Sequence, residues 1–134
     1  MKPLLHAKIS VKKFGGIPAD YIDIHNWFDQ TKAHIADARH RLVLHNAFGI
    51  FLCEQVFGDV MVLPSGATKK MPYITISTGK QVSVRDIAEQ HVLDDLHHIP
   101  SLAECFANVG EIQEKHVGKL GRMVVKASSL NIVD

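Results

Sequence analysis

The chain has 134 residues, 46% of them apolar, with Lys+Arg 15 against Asp+Glu 14 and a formal charge of +1. That size and composition predict one domain over residues 1–134 with a buried core, and 22% charged residues with 5 Pro and 9 Gly exclude a disordered or fibrous chain. Near-neutrality removes any general attraction to nucleic acid or to an acidic membrane. The longest apolar run, Ala47 to Val60, is interrupted by Glu54 and Asp59 and is too short to span a bilayer. The opening Met-Lys-Pro-Leu-Leu-His lacks the apolar stretch and cleavage site of a secretion signal, so a cytoplasmic protein is expected. Cys53 and Cys105 form no C-x-x-C pair and sit in apolar contexts suited to reduced, buried thiols.

In chain order, residues 5–12 alternate enough for a short strand, ended by Phe14-Gly15-Gly16. Pro18-Ala19-Asp20 opens a helix to about Lys32, with Ile22, Ile24, Trp27 and Phe28 as its apolar contacts. After a break near Thr31, good helix formers from about His34 to Val56 predict a long central helix, weakest at Gly49 and stopped at Gly58. The pattern then turns β-rich: Val60 to Leu63, a Pro-Ser-Gly turn, and a hairpin in which Thr78-Gly79-Lys80 joins Tyr73–Ser77 to Gln81–Ser83. Ser83 with Asp86 resembles a capping box and starts a helix through about His97; Pro100-Ser101-Leu102-Ala103-Glu104 starts a shorter one that Gly110 ends. Gly118 and Gly121 break any helix beyond Glu111, Met123-Val124-Val125 reads as a last strand or docking segment, and 111–134 reads as a partner-docking tail. The fold class is α+β, mainly helical, with a three- or four-helix core and a small β-hairpin.

Histidine is the compositional oddity, with nine in the chain. On the helix from Val84, the residues Val84, Ile87, Ala88 and Val92 form an apolar stripe, and His91 and Asp95 fall inside it. Four positions apart on a helix, their Cβ atoms lie about 5–6 Å from each other. Glu89, Asp94 and His98 point elsewhere and are expected to meet water. The same spacing recurs at His25 and Asp29, and the central segment adds Asp37, His40 and His45. Side by side, such helices supply the donors for a divalent transition metal, with zinc, manganese, iron or nickel as candidates. The metal set is His25, Asp29, His40, His45, His91 and Asp95. The competing reading is a hydrogen-bonded network in which each carboxylate fixes an imidazole and links two elements.

Arg39 and Arg41 flank His40 and, with Lys32, outline an anion site for a phosphate or carboxylate, although one arginine can equally be taken up by Asp37. His34, His97, His98 and His116 read as surface positions, and His6 points either way on a strand. The chain has no phosphate-cradling glycine loop, no nucleophile elbow and no basic stripe interleaved with aromatics, which removes nucleotide-loop, acyl-transfer and single-strand-binding readings.

The segments His25-x-Trp27-x-Asp29, Asp37-x-Arg39-His40-Arg41-x-x-x-His45-Asn46 and Glu89-Gln90-His91-x-x-x-Asp95, with Ile99-Pro100, resemble a family of small uncharacterised proteins from bacteria and their phages. The resemblance covers most of residues 5–107 and implies a prokaryotic or phage setting without a mechanism.

Two functions follow as expectations. The first is a non-enzymatic binding protein with a buried His/Asp cluster, a homo-oligomer whose partner is a small phosphorylated ligand or a host protein. The second is a metal-dependent phosphoester hydrolase on the same cluster. Asp37, His40 and Asp95 would be its catalytic groups, and Arg39 and Arg41 would hold the phosphate.

Overall fold

The computed structural model describes residues 1–107. The first element is a helix, α1 (Pro3–Phe14), where alternation predicted a strand. Pro3 suits a first helical turn, because its missing N–H would be unpaired there anyway. The buried residues His6, Ala7 and Ser10, with Val11 and Phe14 partly buried, follow helical spacing. A strand would have buried Leu5 with Ala7, and Leu5 is 49% exposed.

A 3-10 turn at Pro18–Asp20 leads into α2 (Ile22–Phe28), and a second at Gln30–Ala33 follows it, so the helix expected to Lys32 is broken at Asp29. The long central helix is also absent. A 3-10 turn at Ala38–His40 is followed by α3 (Arg41–Leu44), a break at His45-Asn46, and α4 (Ala47–Val56). Asn46 causes the break. Its backbone is extended, its side chain accepts from the Gly49 amide at 2.8 Å, and its Nδ2 donates to the carbonyls of Leu42 and Val43 at 3.1 and 3.2 Å. One amide therefore serves the open carbonyls of α3 and the open amides of α4, which favours two helices over one.

Gly58, with φ 125°, turns the chain out of α4 as expected. Two hairpins follow instead of one. Strand β1 (Val60–Val62) pairs antiparallel with β2 (Thr68–Lys70), an exposed arm whose lysines carry no alternating signal. Strand β3 (Tyr73–Thr75) pairs with β4 (Gln81–Ser83) in the expected hairpin, with Ile74 opposite Val82.

Ser83 caps α5 (Val84–Leu96) by accepting from the Asp86 amide, as predicted. Helix α5 is the true centre: it packs against α1, α2, α4 and the β3–β4 hairpin, and Val84, Ile87, Ala88 and Val92 are fully buried. Tyr21, Ile24 and Phe28 meet them from one side and Ile50 and Cys53 from the other. The architecture is mainly helical α+β.

The chain divides into two compact units, Met1–Pro100 and Ser101–Asp134, and every element above lies in the first. In the second, residues 102–107 are helical, started by the predicted capping box: Ser101 Oγ accepts from the Glu104 amide and Glu104 Oε1 accepts from the Ser101 amide, both at 3.1 Å. The expected stop at Gly110, the segment Met123–Val125 and the tail 111–134 lie outside the described residues. No described helix is long and apolar enough to cross a membrane.

The α3–α4 corner brings backbone against backbone at Gly49, where a Cβ would run into the Leu44 carbonyl. Neither partner is a flexible side chain, so Gly49→Ala is expected to cost about 3 kcal/mol or more, read as a melting temperature lowered by roughly 10 °C. An unchanged melt would refute the close packing of this corner.

Candidate metal centre

Helix α5 supplies His91 and Asp95 one turn apart on its buried face. Asp29 follows directly on α2, and His45 occupies the non-helical corner between α3 and α4. Their donor atoms converge. His45 Nε2 lies 3.0 Å from Asp95 Oδ2, 3.1 Å from His91 Nε2 and 3.5 Å from Asp29 Oδ1. His91 Nε2 lies 3.3 Å from Asp29 Oδ1 and 3.4 Å from Asp95 Oδ2. Both imidazoles are fully buried, and the Asp29 and Asp95 side chains are only 5% and 1% exposed.

Each carboxylate turns one oxygen inward and the other toward cations. Asp29 Oδ2 lies 3.6 Å from the Lys32 ammonium. Asp95 Oδ1 faces the amino group of Met1 at 3.1 Å, His6 Nε2 at 3.2 Å and the Arg41 guanidinium at 3.6 Å, the His6 contact not being aligned for a hydrogen bond. Burial by itself would raise the pKa of both acids. For Asp29 the His45 and His91 rings at its inner oxygen, with the Lys32 ammonium beyond, outweigh it, and for Asp95 the His45 and His6 rings and the Met1 amino group do, so both are held below the usual carboxylate range.

A second layer surrounds His91. His25 Nδ1 lies 2.9 Å from His91 Nδ1, and His25 Nε2 lies 2.8 Å from Ser10 Oγ. Ser10 Oγ lies 2.5 Å from Gln90 Oε1, and Gln90 Nε2 donates to the His6 carbonyl and to Asp94 Oδ2. The rings of His6, His25 and His91 are also close enough to share an ion. His6, however, is stacked face to face over His91 at 3.8 Å between centroids and 27° between planes, whereas His25 meets His91 at its edge. Stacked imidazoles present faces to one another, so their in-plane lone pairs do not meet at one point. The four converging donors on Asp29, His45, His91 and Asp95 are the better cation site.

Of the six residues expected as ligands, Asp29, His45, His91 and Asp95 come together, whereas His25 stands behind His91 and His40 joins neither group of converging donors. His40 is buried edge-on to His45, its Nδ1 without a hydrogen-bond partner among the described residues; burial lowers its pKa, with His45, Lys32 and Arg41 adding to the effect. Asp37 is half-exposed, caps its own 3-10 turn and holds Arg39 through Nε and Nη2 at 2.8 and 2.7 Å. Arg39 is thus taken up by Asp37, and Arg41 leans on Asp95. His34, His97 and His98 are exposed, as expected, and His116 lies outside the described residues.

Asp94 was expected to meet water and instead accepts from Gln90 beside His6. The reason is α1, which lies along this side of α5 and brings His6 and Ser10 one turn apart to the cluster. Read as a helix, residues 3–14 would have placed His6 and Ser10 on the face of Ala7. Gln90 follows the same logic, as a polar residue buried next to His91.

A protein-family profile described as "Domain of unknown function (DUF6915)" matches residues 1–116. No curated protein and no solved structure gives a match.

Burial, with the neighbouring imidazoles His91 and His6, lowers the pKa of His25 to about 3, and burial lowers that of His91 to about 4. Unfolded, both return to about 6.5, so between these values the unfolded chain binds more protons and acid favours it. In chelator, the melting temperature should be level above about pH 7 and fall steadily from about pH 6.5 to pH 4. Asp29 and Asp95, also lowered on folding, extend the loss in the same direction at still lower pH. A melt indifferent to pH over that range would refute the buried, neutral state of the two histidines.

Proposed function

The chain belongs to the DUF6915 family, whose description assigns no activity, and we propose that it is a metal-binding protein. One divalent transition metal ion, held by Asp29, His45, His91 and Asp95, would tie α2, the α3–α4 corner and α5 together. The observation that carries this reading is the set of five donor–donor separations, all between 3.0 and 3.5 Å. Ligand bonds of about 2.0 Å set tetrahedrally around zinc give an edge of about 3.3 Å.

A hydrogen-bond network accounts for the same contacts less well. The two imidazoles bring at most one Nε2 hydrogen each to five short contacts, so several electron-rich pairs would face each other with nothing between them. A single cation at the centre serves all of them, and its two charges balance the two carboxylates. Two imidazoles and two carboxylates in this shape favour zinc over the other first-row ions expected for the chain.

Four protein ligands with this little exposure suit a structural ion better than a catalytic one, which keeps a position open for water or substrate. Phosphoester hydrolysis stays the second reading. What favours it is the pair of cations at the rim, Lys32 and Arg41, each beside a carboxylate of the centre. In that reading Asp95 acts as a ligand and Arg41 contacts phosphate, while Asp37, His40 and Arg39 have no place at the four converging donors.

Plasma mass spectrometry of the purified, untagged chain should find about one zinc ion per protein. Chelation should lower the melting temperature by roughly 10 °C, since an ion present at a thousand times its Kd contributes about 4 kcal/mol. Asp95→Asn should weaken zinc binding at least about tenfold. A metal-free protein whose melt responds to neither chelator nor added ions would overturn the proposal.

A further inference from the structure

We propose that Gln90, Ser10 and His25 are positioning residues that fix the tautomer of His91, keeping its hydrogen on Nδ1 and its lone pair on Nε2, aimed at the four-donor centre. The inference deepens the metal-binding reading, on which its purpose rests; its geometry stands without an ion.

Gln90 Nε2 lies 3.0 Å from the His6 carbonyl and 2.8 Å from Asp94 Oδ2, two oxygens that only accept. The amide nitrogen must therefore face them, which turns Oε1 toward Ser10. Oε1 can only accept, as can the His6 carbonyl, and Ser10 Oγ lies 2.5 Å from the first and 3.1 Å from the second, so the one serine hydrogen is spent on these oxygens, Gln90 being the nearer. The serine has no second hydrogen for His25 Nε2 at 2.8 Å, and that nitrogen must donate to Oγ.

His25 is wholly buried, and its hydrogen bonds among the described residues are to Ser10 and His91, neither of them a carboxylate. No carboxylate takes a hydrogen bond from a charged ring there, so the ring is neutral and carries one hydrogen, on Nε2. His25 Nδ1 is then an acceptor, and His91 Nδ1 at 2.9 Å must donate to it. His91 is left with a bare Nε2 among Asp29 Oδ1, His45 Nε2 and Asp95 Oδ2. A metal-ligating imidazole needs this state, and a partner that takes the far N–H both orients the ring and raises its basicity.

The arrangement also explains the i,i+4 pair His6/Ser10 on α1. The backbone carbonyl of His6 orients the Gln90 amide, and the hydroxyl of Ser10 passes that orientation to His25. Four side chains from three helices are needed to state one preference at His91 Nε2. A hydrophobic packing role would require neither the amide nor the hydroxyl.

The test is long-range 1H–15N correlation NMR on the full chain labelled at histidine, first after chelation and then with zinc added. In the chelated protein, His91 should show a protonated Nδ1 and an unprotonated Nε2, and His25 the reverse. Ser10→Ala and Gln90→Met should mix the two His91 tautomers and weaken zinc binding by about 10- to 100-fold, with helical content unchanged by circular dichroism. Ser10→Thr, which keeps the hydroxyl, should restore both the spectrum and the affinity. If Ser10→Ala fails to fold, the unaltered protein's spectrum still decides the matter. A His91 ring protonated at Nε2 in the chelated protein overturns the relay, as does Ser10→Ala with unchanged tautomer and zinc affinity. The expected tautomers in a protein that takes up no ion would uphold the relay while refuting the metal centre, and zinc bound with a mobile His91 tautomer would do the opposite.

Discussion

Two carboxylates held almost out of solvent set the terms for the first compact unit. Asp29 and Asp95 remain ionised in a protein interior only because imidazoles face their inner oxygens and cationic groups face their outer ones. Satisfying them brings the end of α2, the α3–α4 corner and α5 to one point, with α1 closing the back through Ser10. The apolar core of Phe28, Ile87 and Val92 supplies the driving force for collapse, but it does not specify which rotation of α2 or α5 is native. The polar cluster does, because a small rotation of any helix would leave a buried donor or acceptor unpaired.

The irregular backbone between residues 29 and 47 follows from the same demand. A continuous helix through this stretch would carry Asp29, His40 and His45 round on a fixed 100° step. Breaking it at Asp29, Asp37 and Asn46 frees each side chain from that step, and His45 reaches the centre from a non-helical corner. The cost is borne locally by Asn46 and by the absence of a side chain at Gly49, which lets α4 start against the Leu44 carbonyl.

Helix α5 shows where periodicity is sufficient. Its cap at Ser83 and its stripe of Val84, Ile87, Ala88 and Val92, with His91 and Asp95 set within it, are local facts of a regular helix, and the structure bears them out. The β3–β4 hairpin and the capping box at Ser101 were legible for the same reason: each is decided by residues within a few positions of one another. Helix α1 was misread because eight residues with roughly alternating polarity fit both periods, and only a neighbour on one side of it tells them apart.

The sequence by itself determined the mainly helical α+β class, the amphipathic face of α5 and the set of residue types that could hold a cation. It contained the four converging donors within a larger set of six, since spacing reveals which side chains share a helical face. Tertiary structure decided the rest: that His25 stands behind His91, that His40 stays outside the four donors, and that His6, Ser10 and Gln90 belong to the cluster. The physical reason is that a donor atom's position depends on how helices rotate and pack against one another, and those relations arise between segments far apart in the chain.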